Sequence, residues 1–276
     1  MREEYLSRVP EWYRSFEKFD VVLSDDLDGI VSTSALKFAK NWNVEYFYDF
    51  SKLYVTGQTY FKENKNATRV WADVAITRRE MTFDNHISRK NLGDKLNDLC
   101  INPNVITNVT NENYYDKYCG SSALLIWSLY NIPLPETELG KMLLLCIDST
   151  FKGFFGYNNF KERNRFYLCD VLGFEELYEV EKRHSREEFY ELISKYNLNA
   201  KTKIDSDGYL HTDLDLDFIG KELGIELSIP TDKCFIEWRE LEKHKVNNFY
   251  GDVASIKRLI TLAYTGKNFV MYSTMA

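Results

Sequence analysis

Cysteine is scarce and poorly placed for chemistry. The five residues, Cys100, Cys119, Cys146, Cys169 and Cys234, are odd in number and never form a Cys-x-x-Cys pair. That spacing argues against a disulfide framework and a zinc knuckle, and it suits a reduced, cytoplasmic setting. No stretch approaches the roughly 18 uninterrupted apolar residues of a membrane span. The start, Met1-Arg2-Glu3-Glu4-Tyr5, is charged with no apolar run behind it, so no secretory leader is expected. With 5 prolines and 13 glycines in 276 residues, collagen-like and low-complexity readings fall away. Positive charge is not in excess either: 35 Lys and Arg face 42 Asp and Glu, a formal charge of −7. Such a chain has no overall field that draws in long duplex DNA.

The 44% hydrophobic content is ample for a buried core, in one large domain or two unequal ones. Residues 1 to 18 carry Tyr5, Val9, Trp12, Tyr13 and Phe16 on one helical stripe. Phe19 to Leu23 is an apolar run that stops at Ser24-Asp25-Asp26-Leu27-Asp28-Gly29, after which Ile30 to Ala39 has a helical pattern. Further strands are expected at 44 to 48, at 68 to 73 and around Val105 and Ile106, and helices at 121 to 130 and 136 to 147. Strands alternating with helices predict an α/β fold, a mostly parallel sheet flanked by helices, with its ligand crevice beyond the carboxyl ends of the strands. Three segments are expected: a domain over 1 to 165, a helical connector and linker over 166 to 212, and a smaller C-terminal α+β domain over 213 to 276. In that last segment strands are expected at 225 to 229, 233 to 238 and 268 to 272, and a helix at 253 to 264. From Lys233 onward basic residues outnumber acidic ones, so a local positive surface can form there.

Asp25, Asp26 and Asp28 crowd four positions after an apolar strand. Such carboxylates repel one another unless a cation, a proton or hydrogen-bond donors offset them. The plainer alternative is an Asp-rich turn and a helix N-cap. Asp73 then ends a strand, Asp84-Asn85-His86 forms a polar trio, and Asp148 ends a helix. His184 sits in a charged helix boundary. His211-Thr212-Asp213-Leu214-Asp215-Leu216-Asp217 does not fit a calcium loop, because Phe218 stands where glycine is needed, and helix capping by Asp213 is the better expectation. Tyr209, Phe249 and Tyr250, near the basic segment, are candidates for base stacking.

In order and spacing these motifs resemble the DHH phosphoesterase superfamily over about residues 19 to 150. Asp26-Leu27-Asp28-Gly29 is similar to its first motif, Asp73 to the second, Asp84-Asn85-His86 to the Asp-His-His trio and Asp148 to the fourth. Cys119-Gly120-Ser121-Ser122-Ala123-Leu124 is similar to the small-residue segment that opens a helix in nanoRNase-like members. The resemblance implies two divalent ions, Mn²⁺ or Mg²⁺, and hydrolysis of a phosphoester. Asp26 and Asp73 would serve one ion and Asp73, Asp28 and Asp148 the other. His86 would meet the scissile phosphate, and Asp84 would orient the trio. Ser121 and Ser122, with Lys243, His244 and Lys245 from the basic segment, are the substrate-binding candidates.

Two positions depart from the family pattern. Ser24 stands where an acidic residue or histidine is usual, and Asn85 replaces the middle histidine of the trio. Asn85 can still coordinate through its amide oxygen, with Ser24 or Asp25 as further oxygen donors, and so oxygen-rich a shell favours Mg²⁺ or Mn²⁺. The glycine-rich Gly-Gly-Gly-His run of the family's accessory domain is missing. The expected substrate is a nucleotide or a short single-stranded or cyclic oligonucleotide; long duplex DNA and membranes are not expected partners. Two alternatives stay open: a degenerate relative that binds a nucleotide or a protein without hydrolysis, and a RecJ-like single-strand exonuclease. Richness in Asn, Lys, Tyr and Phe points to an AT-rich genome of a bacterium, phage or mobile element.

Overall fold

The computed structural model describes the chain apart from residues 62–67, 158, 250 and 252, so Tyr250 lies outside the described residues. Strand β1 (Asp20–Ser24) is the apolar run expected from the sequence, and Val21 to Ser24 have no exposed surface. A strand buried on both faces belongs in the middle of a sheet. It pairs in parallel with β2 (Asn43–Tyr48) on one side and with β4 (Arg69–Ala72) on the other. β3 (Lys52–Thr56) turns back antiparallel beside β2, while β5 (Met81–Phe83) and β6 (Cys100–Ile101) extend the parallel run beyond β4.

After a small hairpin of β7 (Lys203–Ile204) and β8 (Leu210–His211), the chain returns to the main sheet. It does so as β9 (Phe235–Asn247), β10 (Leu259–Gly266) and β11 (Phe269–Met275), all antiparallel. The spatial order is β10-β11-β9-β3-β2-β1-β4-β5-β6. The sheet is therefore mixed and not mostly parallel. These three strands extend it through the edge that β3 leaves open, and the outer edge of β10 reaches back over the parallel half: Leu262 N donates to Ala75 O at 3.0 Å and Tyr264 N to Ile87 O at 2.8 Å.

One face of the sheet carries the helices. The helix Leu27–Lys40 is buried from Leu27 to Leu36, and every residue of Ser122–Leu129 is buried, as an apolar helix between two layers should be. Helices Glu138–Cys146, Glu175–Arg183, Arg186–Lys195 and Leu216–Leu223 complete that side. Because side chains alternate along a strand, Val21 and Leu23 join the helical core, and Val22 joins a second cluster with Tyr48, Trp71, Leu241 and Ile260 on the other face.

Several local expectations are corrected. Residues 1 to 18 form a short helix, Glu3–Leu6, and a 3-10 turn, Glu11–Arg14, because Pro10 interrupts the run. Val105 and Ile106 lie in the helix Pro103–Ile106, capped by Asn102 with proline in its first turn. The strand at Met81–Phe83 is three residues long, too short to show a period. The helix expected over 253 to 264 is a 3-10 turn, Val253–Ser255, followed by β10, whose pairing with β11 overrides helical spacing. Residues 225 to 229 are not a strand; Ile225, Leu227 and Ile229 simply pack into the core.

Candidate active site

Parallel strands align their carboxyl ends, so β1, β4 and β5 deliver Asp25 and Asp26, Asp73 and Asp84 to one edge of the sheet. β1 is also where the strand order reverses, the place at which open α/β sheets leave a crevice. Asp26 caps the helix Leu27–Lys40, with Oδ1 accepting from Gly29 N at 3.1 Å. Gly29 has to be glycine: a Cβ there would collide with Ser24 Oγ and lie 2.8 Å from the Ser24 carbonyl oxygen. Ser24 Oγ is thus buried under the helix start, without a hydrogen-bond partner.

Asp28 is buried in the first turn of that helix. Its Oδ2 accepts from Ser122 N and its Oδ1 from Ala123 N, both at 2.8 Å, and Ser32 Oγ adds a longer bond. These amides open the helix Ser122–Leu129, whose dipole favours a negative charge there. Burial nevertheless pushes the Asp28 carboxyl up to about 7, aided by the fields of Asp148 and Asp26. Asp73 takes Ser122 Oγ at 3.0 Å, and burial, then Asp28, Asp26 and Asp148, hold it well above the usual carboxylate range. Asp148 accepts from Asn85 Nδ2 at 2.7 Å and is raised chiefly by burial. Asp73, Asp148 and Ser149 adopt positive φ of 60°, 48° and 55°. Left-handed backbone costs a non-glycine residue about 1–2 kcal/mol, with Asp among the more tolerant, and such strain collects at functional sites.

The trio is held by residues that the sequence did not single out. Asp84 is fully buried and accepts from His86 Nδ1 at 2.8 Å and from Asn102 Nδ2 at 2.9 Å. A carboxylate accepts, so Nδ1 carries the proton and Nε2 is left free. Burial opposes a charged His86, but the bond and field of Asp84 outweigh it and raise the imidazole. Asn104 Nδ2 donates to the Asn85 carbonyl at 2.7 Å. Asn85 Nδ2 is shared between Asp148 and Gly120 O, and Asn85 Oδ1 is buried with no partner.

The segment expected to be a linker lies across the acidic loop. Thr202 N donates to Asp25 O at 2.7 Å, and Lys201 Nζ reaches Asp25 at 2.8 Å and Asp26 at 3.2 Å. Burial raises Asp25, and Lys201 opposes the rise. Two clefts meet at His86 and Thr265. The larger, about 480 Å³, includes Asn85, Asp148, Lys117, Lys152 and Tyr157. The smaller, about 270 Å³, includes Asp25, Asp26, Asp73, Lys201 and Lys243.

Asp26, Asp28, Asp73, Asn85, His86 and Asp148 are therefore neighbours, and Ser122 bridges two of them. Ser121 is instead the N-cap of its helix, accepting from Leu124 N. Lys243 enters the smaller cleft. His244 points to the opposite face of β9, stacked on Tyr272, and Lys245 is exposed beyond the cleft. His184 is engaged with Glu138 and Glu188. Asp215, not Asp213, caps the helix Leu216–Leu223. Among the described residues, no three His, Cys, Asp or Glu side chains close around one point as metal ligands. Comparison with protein-family models, curated proteins and solved structures finds no match.

Proposed function

We propose that the chain is a divalent-cation-dependent phosphoesterase of the DHH superfamily that hydrolyses nucleotides or short single-stranded or cyclic oligonucleotides. The observation that carries this reading is the buried group Asp28, Asp73 and Asp148. Burial raises each carboxyl and the other acidic groups add to the rise, although His86, Asn85 and Lys117 oppose it at Asp148, so the group favours protons or a cation. The chemistry of the donors supports a cation, although among the described residues no three acidic side chains close around one point. Asn85 Oδ1 is a buried oxygen lacking a hydrogen-bond partner, and the set around it is all oxygen, the preference of Mg²⁺ and Mn²⁺. Asp26, Asp73, Asp148 and Asn85 would hold such ions, and Asp28, whose oxygens each already accept an amide hydrogen, would contribute a remaining lone pair. Bound divalent ions supply charge stabilisation at phosphorus and acidify a water.

The chain's own groups do the rest. His86, its ring set and its imidazole raised by Asp84, presents Nε2 where the two clefts meet, and in its protonated form it donates from Nε2 to a phosphoryl oxygen there. Lys201 and Lys243 meet phosphate charge from the other wall. Clefts of about 480 and 270 Å³ suit one nucleotide each and not a duplex.

Turnover of bis-p-nitrophenyl phosphate and of diadenylate in Mn²⁺, Mg²⁺ and EDTA tests the reading. Activity should require metal and should fall about a hundredfold or more in Asp73→Asn. A second reading, binding without hydrolysis, is favoured by the engagement of both Asp28 oxygens with helix amides. Absence of turnover with nucleotide binding retained would select it. Processive digestion of a single strand of about 20 nucleotides, with little diadenylate turnover, would select a RecJ-like exonuclease.

A further inference from the structure

The larger cleft runs from Asn85, His86 and Asp148 outward to Lys117, Lys152 and Arg186. In a chain of net charge −7, these three cations surround one cavity, and among the described residues Asp148 is its sole acidic lining residue. Among the described residues, too, none of the three cations lies within ion-pair distance of a carboxylate. Tyrosines hold them instead: Lys117 Nζ stands 5.1 Å from the Tyr114 ring centre, Lys152 Nζ 5.7 Å from that of Tyr190, and Arg186 donates to Tyr190 Oη at 2.9 Å. Arg186 also occupies the first turn of the helix Arg186–Lys195, where the helix dipole disfavours a cation. Tyr157, at the mouth, is 83% exposed.

We propose that this cleft is a second phosphate subsite, which seats the phosphate next to the scissile one, with the attached base stacked on Tyr157. The inference rests on the phosphoesterase reading for the word "scissile", but the subsite itself is a matter of binding. Its ligand class is a nucleotide or dinucleotide bearing two phosphates. Lys152 and Arg186 meet the outer phosphate with charge-assisted hydrogen bonds, and Lys117 lies between it and Asp148. Aromatic stacking accepts any base, so the subsite reads the phosphate rather than the sequence.

The test measures equilibrium binding of 5′-phosphorylated diadenylate and of unphosphorylated diadenylate at physiological salt. The proteins compared are the full chain and the double variant Lys152→Ala/Arg186→Ala, with thermal melting to confirm that both are folded. The full chain should prefer the phosphorylated ligand by about tenfold, the worth of one charged hydrogen-bonded contact. The double variant should lose that preference, and Tyr157→Ala should weaken both ligands alike. Equal affinity for the two ligands in the full chain, no binding of either, or a preference that survives the double variant would overturn the subsite. Hydrolysis of the same two ligands is scored separately. A preserved preference with no turnover keeps the subsite and removes the phosphoesterase reading, and turnover without preference does the reverse.

Discussion

The two halves of the sheet bring opposite kinds of residue to the same clefts. In β2, β1, β4 and β5 the strands run together, so their carboxyl ends coincide and the loops leaving them are gathered at one edge. That is how Asp26, Asp73 and Asp84, far apart in the chain, become neighbours. In β3, β9, β10 and β11 direction alternates and no common end exists. This half contributes from the middle of its strands, Lys243 from β9 and Thr261 from β10, as a wall with a polar face. The parallel half concentrates buried negative charge, and the antiparallel half stays half-solvated and supplies positive charge.

Core truncation should separate the halves most sharply. Leu23→Ala, at a position with no exposed surface, should cost about 4 kcal/mol in urea unfolding. Leu241→Ala, on amphipathic β9, should cost about 2 kcal/mol. Equal losses would mean that the antiparallel half is as deeply embedded as the parallel one.

Charge buried on the parallel side, and in the helical layer behind it, should make stability depend on pH. Asp28 is raised from 3.8 to about 7 in the folded chain. Asp73 and the buried Glu181, whose Oε1 has no partner, are raised well above their ordinary values. A carboxyl with a raised folded value binds its proton more tightly folded than unfolded. Its contribution is therefore full below the unfolded pKa and is lost as pH rises from about 4 toward the folded value. Melting in EDTA should fall by several degrees across that window, and Glu181→Gln should raise the melting temperature at pH above 7 while changing little at low pH. A flat profile in EDTA would contradict the raised values, and a profile flattened by Mn²⁺ would support the proposed cation.

The smallest effects belong to single lysines. Lys201→Ala removes the cation beside Asp25 and Asp26, but with nearly half of its side chain exposed the loss should be about 0.5 kcal/mol in stability. Its larger consequence should be weaker nucleotide binding. Lys245→Ala, on the same face of β9 as Lys243 but exposed beyond the cleft, should change stability by no more than about 0.5 kcal/mol and leave binding as it was. Equal binding losses for the two lysines would remove the distinction between the wall of the cleft and the outer strand surface.

The apolar run Val21-Val22-Leu23, the Asp-rich stop behind it and the buried helix from Ser122 were legible because each is a local pattern. Periodicity and composition report what a segment buries. Asp73 and Asp148 were legible as residues that end elements, but their positive φ was not, since nothing adjacent in sequence demands it. Asn102 and Asn104 carried no signal beside a stretch expected to be a strand, and their bonds to Asp84 and to the Asn85 backbone exist because β5 and β6 lie side by side. Lys201 carried no signal at all: it lay in a polar stretch, and its role comes from the path of that stretch over the acidic loop.

By itself, then, the sequence determined the buried strands β1, β2 and β4, the main helices packed on them and the identity of the acidic residues at the strand ends, because burial and helix capping act over a few residues. The tertiary structure decided that β9, β10 and β11 continue the same sheet, that Lys243 faces the cleft while His244 turns away, and that Lys117, Lys152 and Arg186 surround one cavity. Strand pairing and charge convergence join segments well separated in the chain, and no local pattern records which open edge or which opposing face a distant segment will meet.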